Sequence, residues 1–214
     1  MFACSAAPIQ VTWIGYPNTT GVETIHYRVT DAVTDPMATT QQFSEKLIRL
    51  PDCFLCFHAR GIARERVTFM SFSPATSGHL AAYDLHDNSL DTFPYNGTTT
   101  TVDSLLMGVP VVTLRSPSEA CIHAHNVSAG ILTALGQPDL VAQSQDEFVE
   151  IAKNLARSPE RLHALRHGLR NQFCSSPMGN SARYRSNVED MYRKMWVQFC
   201  QDDNPICQED KSPQ

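Results

Sequence analysis

Residues 89–103, SLDTFPYNGTTTTVD, constrain what this chain can fold into more than any other stretch. A strand end at 89–92 runs into a Pro/Asn/Gly turn, and a run of threonines then opens a helix over 98–107. Gly108-Val-Pro-Val-Val-Thr113 follows directly, a tight turn into a buried strand over 109–114. With strands and helices alternating from Val67 onward, the pattern implies a parallel α/β sheet. Sheets of this kind bind ligands beyond the C-terminal ends of their strands, against helix N-termini.

The remaining elements follow from periodicity and punctuation. Residues 9–14 (IQVTWI) alternate and are β-branched, so they predict a strand, closed by the turn run 15–21 (GYPNTTG). A second strand is expected at 25–30 (IHYRVT). Phe43, Leu47 and Leu50 at helical spacing predict a short amphipathic helix over 39–50, stopped by Pro51. Residues 53–57 are strand-like, 67–72 predict a strand and 76–82 a short helix. The charged texture at 58–65 interrupts two apolar stretches and marks a boundary. A helix over 126–135 should close at Gly136, and Ser144-Gln-Asp-Glu147 forms a capping box for a helix burying Phe148, Ile151, Ala152 and Leu155. Ser158-Pro159 opens another helix, with Leu162, Leu165 and Leu169 inward. A last helix is expected over 186–200, with Val188, Met191, Met195 and Phe199 inward, before a polar tail.

Chemistry concentrates at the threonine run. The first N–H groups of a helix lack internal partners and sit at the positive end of its dipole. Thr98, Thr99, Thr100 and Thr101 beside those donors can seat a phosphate without a metal. An ordinary threonine N-cap is the bland reading, though one threonine would suffice for it. Neither a Walker loop nor a GxGxxG fingerprint is present. His79, His123, His125 and Asn126 are polar residues that a ligand site could use; taken with Cys121, His-x-His also raises a metal-dependent hydrolase, but zinc needs three or four ligands and the set is short. Cys53-Phe-Leu-Cys56 has CxxC spacing without a second pair, and reads as two small residues in an apolar stretch.

Composition excludes several classes. Lys plus Arg is 17 against 22 Asp plus Glu, so the formal charge is −5 and no basic excess exists to displace nucleic-acid counterions. The apolar stretch 105–114 is half of the roughly 20 residues a spanning helix needs, and Gly108 and Pro110 interrupt it. Residues 1–10 lack the basic and apolar regions of a signal peptide, so a soluble, unsecreted chain is expected. Seven cysteines at scattered spacings argue against a disulfide framework.

Residues 7–21 (APIQVTWIGYPNTTG) and 25–36 (IHYRVTDAVTDP) resemble the O-linked N-acetylglucosamine transferase family, nearest its SPINDLY-type protein O-fucosyltransferase branch. Residues 89–113 (SLDTFPYNGTTTTVDSLLMGVPVVT), HAHNV at 123–127 and MYRKMW at 191–196 are similar to the same branch. The resemblance implies a GT-B fold, α/β, with Rossmann-like parallel sheets, flanking helices and two halves facing a cleft. It implies an inverting, metal-independent transferase that needs no cofactor, with UDP-GlcNAc or GDP-fucose as donor and a protein Ser or Thr hydroxyl as acceptor. By position, Thr98, Thr99, Thr100 and Asp103 would hold the diphosphate and ribose, His79 would contact the nucleotide, and Gly15, Tyr16 and Pro17 would line the sugar pocket. His123, His125 and Asn126 are further pocket candidates.

The same resemblance divides the chain. Residues 1–57 would be the C-terminal remnant of the first half, 58–200 the second, nucleotide-sugar-binding half without its opening strands, and 201–214 a polar tail. The family's tetratricopeptide array, its proposed catalytic histidines and a diphosphate-binding lysine would lie outside this sequence. No complete catalytic set is therefore expected, and an inactive nucleotide-binding or interaction module is the alternative function. A shortened sheet would expose an edge for association. No nucleic-acid or membrane partner is expected, and the location would be cytoplasmic or nuclear.

Overall fold

The computed structural model describes residue 5 and residues 7–57, 83, 86–117 and 122–201. The strand expected at 67–72, the helix at 76–82, His79, Cys121 and the tail lie outside the described residues.

Two parallel three-stranded sheets organise the described residues. The first has the order β1 (Val11–Thr12), β2 (Tyr27–Asp31), β3 (Lys46–Leu50). Its register pairs Val11 with Tyr27, and Tyr27 through Asp31 with Lys46 through Leu50. Every residue of β2 is buried, as a central parallel strand requires. Side chains alternate: Tyr27 and Val29 join an apolar cluster, while Arg28 and Thr30 turn to polar partners.

The predicted helix over 39–50 is not formed; residues 46–50 are β3. Leu47 and Leu50 satisfy helical spacing, but KLIRL is short enough to be a strand, and pairing along all of β2 outweighs one weak amphipathic turn. Residues 53–57 form no strand. They run over the end of the sheet, pinned by Asp31, whose carboxylate accepts from the backbone N–H of Val33, Thr34 and Phe54.

The second sheet has the order β4 (Ser89–Leu90), β5 (Val111–Leu114), β6 (Val141–Ala142). Helix α1 (Thr99–Leu106) connects β4 to β5, and α2 (Val127–Leu135) lies between β5 and β6. Gly136 caps α2 at φ 80°, in the left-handed region. Helix α3 (Gln145–Ala156) starts at Ser144, whose Oγ accepts from the N–H of Glu147, while the Glu147 carboxylate accepts from Gln143 N–H. Helix α4 (Pro159–Ser175) buries Leu165, Leu169 and Phe173 against the same core, which contains Leu105, Leu106, Val112, Ile131 and Leu140. The parallel strands and flanking helices are the α/β architecture expected.

Helix α5 (Ser181–Gln201) begins earlier than the sequence suggested. It follows α4 in the chain but packs on the first sheet. Tyr184, Val188, Met191 and Met195 form a helical stripe against Tyr27, Val29 and Leu50. The Arg183 guanidinium makes a paired contact with the Asp52 carboxylate at 2.6 Å, the Tyr184 hydroxyl donates to Phe54 O, and Trp13 stacks on Tyr184. Phe199 stays outside this stripe and stacks on the exposed Trp196. Cys200 is disulfide-bonded, whereas Cys53, Cys56 and Cys174 are free thiols. Among the described residues no helix is long and apolar enough to cross a membrane.

Candidate functional site

The chemistry is organised by Asp91, just past β4. One carboxylate oxygen accepts from the backbone N–H of Thr92 and of Gly97, and the other from the Thr113 hydroxyl on β5. Asp91 thus ties the loop to the C-terminal end of the sheet. Asn96 is buried; its N–H donates to Ala124 O and its amide to Thr92 O. Gly97 O accepts from Ser128 Oγ on α2. These contacts fix the loop that leads into α1.

The four threonines divide there. Thr101 is buried and its hydroxyl pairs with Ser128 Oγ at 3.0 Å. Thr99 and Thr100 are exposed, and Thr98 is half-buried. The N-cap Thr98 makes no side-chain capping bond. Three hydroxyls therefore stand with the unpartnered first N–H groups of the helix, a favourable place for an anion.

Facing them is the loop after β1, with Gly15, Tyr16 and Pro17. Arg28 holds this loop by donating to Asn18 O at 2.7 Å and Tyr16 O at 3.0 Å. Burial lowers the Arg28 pKa, and the nearby Asp35 and Glu45 oppose that shift. The guanidinium stays charged. Burial works to raise the Glu45 pKa, but hydrogen bonds from Thr20 and Thr19 outweigh it and hold the carboxylate at about 2.

Between the two walls is a cavity of about 470 Å³. Ile14, Gly15, Tyr16, Pro17, Arg28, Phe54 and Leu55 line one side. Residues Thr92, Tyr95 to Thr100, His123, Ala124 and Val127 line the other. Of the residues singled out in the sequence, Gly15, Tyr16, Pro17, Thr98, Thr99, Thr100 and His123 meet here. Asp103, His125 and Asn126 do not line it. Asn126 is buried in a bridge: its side chain accepts from Ser116 N–H and donates to Thr34 O. His125 is half-buried, which lowers its pKa. His123 turns instead into a contact with Asp35, 2.6 Å from Nδ1. Among the described residues no three His, Cys, Asp or Glu converge as metal ligands.

Burial raises the Cys53 thiol pKa strongly, with the Asp31 carboxylate adding to it, and burial raises that of Cys56. Both thiols stay protonated, the inert packing role that the sequence suggested. Sequence reasoning missed Arg28, Asp35, Phe54 and Asp91. The signal for Arg28 was a cation inside an otherwise buried strand; Asp91 and Asp35 carried no local mark beyond lying next to turns.

The family model of glycosyl transferase family 41 matches residues 1–60 and 56–188. The chain is 36% identical, over 276 positions, to the probable UDP-N-acetylglucosamine–peptide N-acetylglucosaminyltransferase SPINDLY of Petunia hybrida, covering 96% of this chain and 29% of that protein. It is 34% identical to the Arabidopsis thaliana SPINDLY protein, covering 95% of this chain and 30% of that one. A mutant of the Thermobaculum terrenum O-GlcNAc transferase superposes with a TM-score of 0.76 at 26% identity, over 92% of this chain and 50% of that one. The chain spans about three tenths of the curated relatives it matches. Since 276 aligned positions exceed the 214 residues of the chain, the alignment opens gaps of several tens of positions within it. The two family-model segments overlap at residues 56–60.

Proposed function

The chain belongs to glycosyl transferase family 41, and on that premise we propose that it is part of the catalytic region of a protein O-glycosyltransferase. It would transfer GlcNAc or fucose from UDP-GlcNAc or GDP-fucose to a protein Ser or Thr hydroxyl. One observation carries the reading: the 15–17 loop closes a cavity over the N-terminus of α1, with Thr98, Thr99 and Thr100 on its wall. The diphosphate would sit on those N–H and hydroxyl groups; the family resemblance gives Asp103 a part in holding the diphosphate and ribose region and His79 a nucleotide contact. Arg28 lies on the opposite wall, where it braces the loop through Asn18 O and Tyr16 O. Gly15, Tyr16 and Pro17 would face the sugar.

In the reaction, the acceptor oxygen attacks the anomeric carbon from the face opposite the diphosphate. The bond from that carbon to the phosphate oxygen breaks with inversion, the electron pair leaves with the nucleoside diphosphate, and the acceptor hydroxyl proton passes to solvent or to the departing phosphate. Charge grows on the diphosphate, where fixed helix N–H dipoles stabilise it without a metal ion. Residues 1–57 and 58–200 would belong to the two GT-B halves, with α5 reaching from the second onto the first, and 201–214 would form a tail. A nuclear or cytoplasmic setting, and association through an exposed sheet edge, complete the proposal.

The gaps in the alignment favour a second reading, a non-catalytic nucleotide-binding or interaction module. Calorimetric titration with GDP, UDP, GDP-fucose and UDP-GlcNAc, followed by an assay of sugar transfer to a Ser/Thr peptide that only the transferase reading predicts, separates the two. Binding of one nucleotide class, weakened tenfold or more in Thr99→Val/Thr100→Val, is the expected result. No heat with any nucleotide, from a cooperatively folded chain, would refute the transferase reading.

A further inference from the structure

His123 and Asp35 are 88 positions apart and meet in the interior, with side chains 3% and 0% exposed. Asp35 Oδ2 already accepts the Thr30 hydroxyl. A carboxylate that accepts there offers Nδ1 only lone pairs, so the 2.6 Å contact requires hydrogen on Nδ1. In the neutral ring, Nε2 then carries the lone pair. The ring is fixed from other sides as well. Its backbone N–H donates to Gln41 Oε1 at 2.8 Å, and Phe54 packs edge-on with centroids 5.3 Å apart.

His123 borders the cavity, and Nε2 makes no hydrogen bond to a described residue. A fixed acceptor on a residue that lines a cavity, oriented by a buried carboxylate and without a described partner, is matched to a ligand donor. The cavity also holds the threonines at the start of α1. A hydroxyl donor is what the sugar of a nucleotide sugar and a Ser/Thr acceptor both present.

We propose that His123 reads a substrate hydroxyl: Nε2 accepts a hydrogen bond from it, and Asp35 is the positioning residue that keeps the lone pair there. This rests on the transferase reading above. The hydroxyl comes either from the donor sugar or from the acceptor side chain.

The test combines nitrogen-15 NMR of the His123 ring in the full chain with titration by GDP, GDP-fucose, UDP and UDP-GlcNAc. The wild-type ring should carry hydrogen on Nδ1. In His123→Ala, affinity for the nucleotide sugar should fall about fivefold to tenfold, while affinity for the nucleoside diphosphate stays within about twofold. Asp35→Asn should put the hydrogen on Nε2 and reproduce the loss; it serves also if His123→Ala does not fold. Unchanged sugar-nucleotide affinity with slower transfer to a Ser/Thr peptide, at an unchanged donor KM, assigns the hydroxyl to the acceptor. Hydrogen on Nε2 in the wild type, an equal loss for nucleoside diphosphate and nucleotide sugar, or no change in binding or transfer would each overturn the proposal while leaving the transferase reading intact. A wild-type chain that binds no nucleotide sinks both.

Discussion

Replacing Gly97 with alanine would place a methyl carbon 2.6 Å from Thr100 Oγ1, 2.7 Å from Thr101 Oγ1 and 3.1 Å from Asp91 Oδ1. Gly97 is not one of the positive-φ glycines, so the penalty is one of space and not of backbone conformation. Thr100 is exposed and can rotate away. Thr101 is buried, and rotation would break its hydrogen bond to Ser128 Oγ. Asp91 is held by Gly97 N–H, Thr92 N–H and the Thr113 hydroxyl. Overpacking of a tight site costs about 1–3 kcal/mol, and a buried hydroxyl left unpaired costs about 1–3 kcal/mol. The entropy lost by the unfolded chain returns about 0.4–1 kcal/mol. A net destabilisation of about 2–4 kcal/mol follows. Urea unfolding of the wild type, Gly97→Ala, Thr101→Ala and the double variant measures it. The double variant should recover at least about 1 kcal/mol relative to additivity, because the clashing oxygen is gone. A neutral Gly97→Ala, or a cost that persists in full without the Thr101 hydroxyl, would refute a need for glycine on grounds of space.

Two further substitutions test how the walls are held. Glu45→Gln removes a carboxylate whose folded pKa of about 2 lies below its unfolded value. The stabilisation from Glu45 is therefore complete above the unfolded pKa and lost as pH falls through the folded one. Linkage allows at most about 3 kcal/mol; Glu45 is itself buried, but Ser44 and Gly21 around it are exposed, and screening there reduces the expectation to about 1–2 kcal/mol. Urea midpoints at pH 7 and pH 3 should differ less for Glu45→Gln than for the wild type; equal differences would count against the Glu45 anchor. Phe173→Ala empties a fully buried position among α4 and the second sheet, and should cost about 3–5 kcal/mol in the same assay. A loss below about 1 kcal/mol would mean that the core collapses around the gap.

Several local features were legible because their physics is local. The Ser144 cap binds a backbone N–H three residues away, and Gly136 turns the chain at a φ that other residues resist. The start of α1 was marked by the turn and threonine run, and the helix forms within one residue of that reading at each end. The length of β1 was not legible: only Val11 and Thr12 of the alternating run 9–14 pair with β2. Alternation shows which face is apolar, but not how far a neighbouring strand extends. In the same way, the Leu47 and Leu50 spacing suited a helix, and the ladder to β2 decided for a strand.

By itself, the sequence determined the alternation of strand and helix, the caps and the threonine run that opens α1, since each depends on residues within a few positions of one another. Tertiary structure alone decided that α5 returns to cover β2 and β3, that Arg28 and Glu45 brace the loop opposite that run, and that Asp35 meets His123. Those contacts join residues 12 to more than 100 positions apart. Their partners are set by the order in which strands pair and by the apolar faces left to cover, and no window of sequence contains that information.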